Sequence, residues 1–199
     1  MSLVTLVSGG LDSTLMSLLA KEEGIDLLPL FVDYGQLCRD QELKACIAVH
    51  QNLGLPRPAL MSLRGFGELI SSGLTDPRMR INEDAFLPGR NLLFLLAGAA
   101  YAYQHGARAV AIGLLSDKSC IYPDQTTEFL EKTQQLVELT MGRGINIVAP
   151  LMTFTKTDVL RMARNKGISC TWSCHASGDS PCGLCVSCTE RINATDESR

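Results

Sequence analysis

The segment SGGLDS, Ser8 to Ser13, stands between a short apolar run, Leu3 to Val7, and a longer apolar stretch with helical spacing. Two adjacent glycines allow a tight turn and a close backbone approach to a ligand. The N–H groups of a helix start, with the helix dipole, favour negative charge. Ser8 and Ser13 add hydroxyl donors, and Asp12 suits such a site only if it binds a magnesium ion or orients the loop. No lysine follows in the Walker position, and G-x-G-x-x-G is absent, so neither the Walker loop nor the dinucleotide fingerprint is present. A glycine turn with a serine cap is the plain alternative. Far downstream, Lys156 falls in the first turn of a helix pattern, where the dipole disfavours a cation. That placement points to an anionic partner such as phosphate, with a solvated lysine as the alternative. Arg90 and Asn91 open another helix pattern and are placed to contact an anion or a carbonyl, or simply to cap.

A second constellation lies near the C-terminus. Cys174, Cys182, Cys185 and Cys188 form C-x7-C-x2-C-x2-C, while Cys38, Cys46, Cys120 and Cys170 are scattered. Four thiolates in overlapping C-x2-C pairs converge on one ion and make a closed tetrahedral zinc site, which implies a structural role. An iron–sulfur cluster and a redox dithiol use the same residues and stay open as alternatives. His175 adjoins Cys174 but is surplus to the set, and reads as a pocket or surface residue.

The elements that position these residues alternate in kind. Strand patterns cover Leu3 to Val7, Ile25 to Tyr34, Arg57 to Leu63, Ala107 to Leu114 and Ile145 to Leu151. Helix patterns cover Thr14 to Gly24, Asp40 to Gly54, Asn91 to His105, Pro123 to Met141 and Thr155 to Gly167, most ending at a glycine. Residues 64–88 read as loop with one short helix, and the tail from Asn193 as disordered. Apolar strands separated by helices predict a doubly wound α/β fold with a five-stranded parallel sheet. Ligands of such sheets bind beyond the carboxyl ends of the strands, which selects SGGLDS, the DYGQ segment with Asp33, and the connections leading to Arg90, Asp124 and Lys156.

SGGLDS resembles the signature of the N-type ATP pyrophosphatases, the PP-loop enzymes, which cleave ATP between its α and β phosphates. The ordered set SGGLDS, DYGQ, PGRN, YPD, PLM-x3-K, TWSC and CG-x-C-x2-C resembles the 7-cyano-7-deazaguanine synthases of queuosine biosynthesis over essentially the whole chain. The resemblance implies an adenine nucleotide α-hydrolase-like ATP-binding domain over 1–168 and a small zinc-binding element and tail over 169–199. It implies a ligase that adenylates the carboxylate of 7-carboxy-7-deazaguanine and converts it with ammonia to the amide and then the nitrile. Carried over by position, Ser8, Gly9, Gly10, Leu11, Asp12, Ser13 and Asp33 would hold ATP. Asp12, Ser13 and Lys156 would act in catalysis with Mg2+, and Arg90, Asn91, Tyr122 and Asp124 would bind the deazaguanine. Cys174, Cys182, Cys185 and Cys188 would bind Zn2+.

Three motifs depart from the family pattern, at four positions, all on the substrate side. Gln125 and Thr126 follow YPD where Cys-Arg is usual, Leu37 follows DYGQ where a basic residue is usual, and His175 stands where TWSC is usually followed by Tyr. A rival reading is therefore a PP-loop ligase that activates a deazaguanine for amide formation or for conjugation to a protein or other acceptor in a defence-type system. A zinc-stabilised nucleotide-binding module without catalysis is a third, opposed by the intact SGGLDS. A net charge of −3 argues against a nucleic-acid or anionic-membrane partner. With 46% apolar and 20% charged residues, no span of bilayer length and no signal-peptide pattern, the expectation is a cytoplasmic globular enzyme. A homodimer is one option for its assembly.

Overall fold

The computed structural model describes residues 2–196. The first βα unit follows from local patterning. In β1 (Ser2–Val7), Leu3 faces one side of the sheet while Val4 and Leu6 face the other, the period of two that a pleated strand imposes. Both faces are apolar, so β1 is central. Gly10, in extended conformation, caps α1 (Leu11–Glu22), which starts inside SGGLDS rather than at Thr14. The first turn of α1 is thus made by the loop residues themselves.

The remaining elements are β2 (Asp26–Asp33), α2 (Arg39–Asn52), β3 (Ala59–Ser62), α3 (Arg64–Leu69), α4 (Arg90–Gln104), β4 (Ala109–Ala111), α5 (Thr127–Met141), β5 (Asn146–Val148), α6 (Lys156–Asn165) and α7 (Val186–Asp196). The five strands are parallel and lie in the order β3-β2-β1-β4-β5. Chain direction across the sheet reverses between β1 and β4, which is the switch point where a crevice opens. β4 and β5 are three residues each, shorter than their apolar runs. One more ladder bond, Ile112 N–H to Val148 O at 3.0 Å, extends the pairing. Gly113 then turns towards α1, where a Cβ would lie 3.2 Å from Ser13 N.

Two apolar layers cover the sheet. Leu3 and Ala111 pack with Leu15, Met16, Val159 and Ala163 from α1 and α6. Val4, Leu6 and Val110 pack with Leu95, Ala99 and Val137 from α4 and α5. Gly98 lets α4 approach closely, since a Cβ there would lie 2.8 Å from Val110 Cγ1. Residues 193–196 complete α7 instead of being disordered, because Ala194, 3% exposed, joins the first layer beside Leu11 and Leu160. A polar helix read in isolation carries too weak a signal for that docking to be foreseen. Positions 197–199 of the expected disordered tail lie outside the described residues. No helix among the described residues is long and apolar enough to cross a membrane.

Candidate active site

A cavity of about 220 Å³ opens at the carboxyl ends of β1, β2 and β4, at the switch point. Ser8, Gly10, Leu11, Asp12 and Ser13 form one wall. The loop is held by its own hydroxyls. Ser8 N–H donates to Ser13 Oγ at 3.2 Å, Gly10 N–H donates to Ser8 Oγ at 3.2 Å, and Thr14 Oγ1 donates to Gly10 O at 2.7 Å. Gly9 does not line the cavity; it lies under the loop, against α2, with φ +79. A Cβ on it would lie 2.5 Å from Glu42 O and 2.7 Å from Cys46 N, both backbone atoms. Gly9→Ala combines a left-handed conformation with that clash, and is expected to destabilise the fold by about 2 kcal/mol or more. Thermal melts with and without ATP test this, with a fall in both the midpoint and its ATP-dependent rise as the expected result.

Lys156 reaches the same loop from the start of α6. Its Nζ donates to both Asp12 carboxylate oxygens at 2.8 Å, and the two side chains are only 14% and 28% exposed. α6 is capped independently by Thr155, whose hydroxyl accepts from Asp158 N–H. The lysine is therefore free of any capping task.

Of the residues expected on the substrate side, Arg90 and Asn91 line the cavity at the start of α4. Asn91 Nδ2 donates to Asp124 O at 2.9 Å, so Asp124 stands behind Asn91 and does not itself line the cavity. Tyr122 packs its ring against Phe86, centroids 5.2 Å apart, also outside the lining. Asp33 has another engagement. Its carboxylate, 4% exposed, accepts from Gly35 N–H, Arg39 Nε and Arg64 Nη1 and ties the β2–α2 connection to α3. Like Lys156, it lies outside the cavity lining.

Gln125 and Thr126, the departures from Cys-Arg, serve as caps. Gln125 Oε1 accepts from Ile121 N–H and Tyr122 N–H at 2.9 and 3.0 Å, and Thr126 Oγ1 accepts from Phe129 N–H at the start of α5. His175, the third departure near the cysteines, lines the cavity. Burial, with the charges of Arg90 and Lys156, holds its imidazole down at about 4, and Nδ1 has no hydrogen-bond partner among the described residues.

Several cavity residues escaped the sequence reading. Tyr34, Gln36, Glu42, Phe94 and Trp172 all line it. Tyr34 and Gln36 belong to DYGQ and Trp172 to TWSC, so these two motifs carry a signal for the cavity. Glu42 sits in the first turn of α2, where a glutamate reads as an ordinary dipole-favoured residue. Burial pushes the Glu42 carboxyl up to about 7 and lifts the Tyr34 hydroxyl above its ordinary range, the latter opposed by Arg90.

The four clustered cysteines converge as their spacing predicts, with all Sγ atoms within 4.8 Å of one another. Ala176 N–H and Cys182 N–H donate to Cys174 Sγ at 3.4 and 3.2 Å; Leu184 N–H and Cys185 N–H donate to Cys182 Sγ at 3.5 and 3.3 Å. Burial raises the Cys182 thiol, but the N–H donors of Cys185 and Leu184 outweigh it and bring it to about 7. Burial raises the other three thiols, and it is the convergence of four sulfurs that lets this set hold a metal ion in a closed site. The cluster also docks on the loop: Trp172 N–H donates to Gly9 O at 2.9 Å and its indole N–H to Cys174 O at 2.7 Å.

The chain matches the family model described as queuosine biosynthesis protein QueC over residues 2–199. The 7-cyano-7-deazaguanine synthase of Campylobacter concisus is 32% identical over 202 residues, which cover 96% of this chain and 91% of that one. That of Parasynechococcus marenigrum is 35% identical over 213 residues, covering 98% and 92%. Among solved structures, one described as a predicted subunit of tRNA methyltransferase from Methanocaldococcus jannaschii superposes with a TM-score of 0.57 at 19% identity, covering 82% of this chain and 74% of that one. The U34-tRNA thiolase NcsA from Methanococcus maripaludis gives 0.50 at 15% identity, covering 99% and 65%. These two share the fold. With its loop, cavity, cysteine cluster and full-length match in agreement, the chain belongs to the family of the queuosine biosynthesis protein QueC.

Proposed function

We propose that the chain is an ATP-dependent carbon–nitrogen ligase that converts 7-carboxy-7-deazaguanine to 7-cyano-7-deazaguanine, the product for which its relatives are named. One observation carries the reading: SGGLDS and Lys156, 144 residues apart, meet at Asp12 beside a cavity of ring size. ATP is a substrate. A carboxylate is inert to ammonia until it gains a leaving group. Its oxygen attacks the α-phosphorus, the bond to pyrophosphate breaks, and an acyl-adenylate results. Ammonia adds at the acyl carbon and AMP departs with the amide formed. A second activation, at the amide oxygen, removes that oxygen with AMP and leaves the nitrile after proton loss.

No protein nucleophile is needed, so the residues act by position and charge. The Ser8 and Ser13 hydroxyls and the first N–H groups of α1 receive the β and γ phosphates. Lys156 offsets the charge that grows on the departing pyrophosphate. Mg2+ bound at Asp12 would supply further neutralisation of the phosphates. Arg90, at the start of α4, faces the carboxylate to be activated, with Asn91 fixed by Asp124 beside it. Zn2+ on the four cysteines would pin the small element that begins at residue 169 against the domain over 1–168, on which Trp172 and Ala194 already dock. A reducing, cytoplasmic setting suits those thiolates.

The test is direct. The pure protein is incubated with ATP, Mg2+, ammonium and 7-carboxy-7-deazaguanine, and products are identified by mass spectrometry. Nitrile with AMP is the expected result. Amide or adenylate as the final product would replace the nitrile reaction with activation for another acceptor. ATP left intact would overturn both readings.

A further inference from the structure

Glu42 is the one acidic side chain on the cavity wall opposite in kind to the phosphate loop, and its surroundings are unusual. It is 8% exposed and forms no ion pair among the described residues. Its Oε2 accepts from Gln36 Nε2 at 3.0 Å, and the Cys38 thiol is its other partner. The Gln36 amide is locked in turn: Oε1 accepts from Tyr34 N–H at 2.9 Å, and Nε2 also donates to Val32 O. The carboxylate is thus fixed in direction by neutral donors. The charge of Arg90 acts on it from across the cavity, but a buried carboxylate with no ion-pair partner is costly, and an apolar residue of similar size would serve packing better. The same cavity presents four aromatic rings, Phe31, Tyr34, Phe94 and Trp172, with Tyr34 and Phe94 centroids 5.2 Å apart. A planar aromatic ligand with N–H donors fits that combination.

We propose that Glu42, aimed by Gln36, is a specificity-determining residue that accepts hydrogen bonds from the adjacent ring N–H and exocyclic NH2 of a 2-amino-4-oxopyrimidine edge. The inference rests on the function proposed above, whose base carries that edge. Two donors from the ligand favour the ionised form against the cost of burial, and that form is acceptor-only, with two oxygens spaced for two parallel donors. Adenine cannot satisfy it, because its NH2 lies beside a ring-nitrogen lone pair. Glu42 therefore separates the two purine-like substrates of one crevice, sending the guanine-type ring to this wall and leaving ATP to SGGLDS and Lys156.

The single tryptophan, Trp172, lines the cavity and supplies the readout. Its fluorescence is titrated with 7-carboxy-7-deazaguanine and with the analogue lacking the 2-amino group, for the wild type and for Glu42→Gln, and ATP affinity is measured in parallel. The wild type is expected to bind the 2-amino compound tenfold to a hundredfold more tightly than the analogue, roughly the discrimination of one bidentate contact. Glu42→Gln should lose that preference and keep ATP affinity. Equal wild-type affinity for the two compounds overturns the proposal without recourse to any variant, as does a Glu42→Gln defect confined to ATP. A wild type that binds neither compound overturns the proposed function as well, whereas one that prefers the 2-amino compound equally in both proteins overturns the role of Glu42 alone.

Discussion

Lys156→Met is expected to lower ATP-dependent turnover by about a hundredfold to a thousandfold, the usual cost of removing one preorganised group from a site of developing charge. The difficulty is that Lys156 already has a partner. Its bidentate bond to Asp12 could be a structural staple between α6 and the loop. The two roles separate in a double-mutant cycle. As a staple, each single change leaves a half-buried charge without its partner and lowers stability by about 1 to 2 kcal/mol. Asp12→Asn combined with Lys156→Met removes both charges and restores most of that loss. Turnover should not return with it, because phosphate and pyrophosphate still lack their cation. Thermal melts and steady-state pyrophosphate release on the four proteins provide the check. Recovery of turnover in the double variant would make the pair structural and displace Lys156 from the mechanism.

The same pair shows what was legible in the sequence. Lys156 was found because it violates a local rule, a cation in the first turn of a helix, and a violated rule asks for a ligand. SGGLDS was legible because the apolar period changes from two to helical across it, which fixes a strand end and a helix start around the glycines. The cysteines were legible because C-x2-C spacing is itself a coordination geometry. Glu42 was not, since nothing local distinguishes a buried helix-start glutamate from a solvated one; its partners, Gln36 and Cys38, come from the turn before α2 and not from the helix pattern. Asp33 shows the converse. It stands where a strand end predicts a ligand contact, yet Arg39 and Arg64, contributed by α2 and α3, engage its carboxylate. Position along the chain named the right loops, and tertiary partners decided which side chains face the cavity.

The second large effect is expected from the cysteine cluster. Purified under reducing conditions, the chain should carry one zinc, and Cys182→Ser should lose it; iron with sulfide and visible absorption would instead mean a cluster. Cys182 is the most exposed of the four, so serine there disturbs packing least and reports on ligation. Closed thiolate sites of this kind supply on the order of 10 kcal/mol of folding free energy to small elements at neutral pH. Residues 171–185 form no regular helix or strand, so little else holds them. Without the metal, the bond from Trp172 N–H to Gly9 O goes, and with it one side of the cavity formed by Trp172, Ser173 and His175. The sheet and the helices α1 to α6 have their own apolar layers and should persist by far-UV circular dichroism. The expected signature is therefore selective: protease cleavage within 169–185, a red shift of Trp172 emission, and loss of turnover in a chain that still melts cooperatively. Metal-free protein that keeps its protease resistance and its turnover would show that the thiols hold the element without an ion.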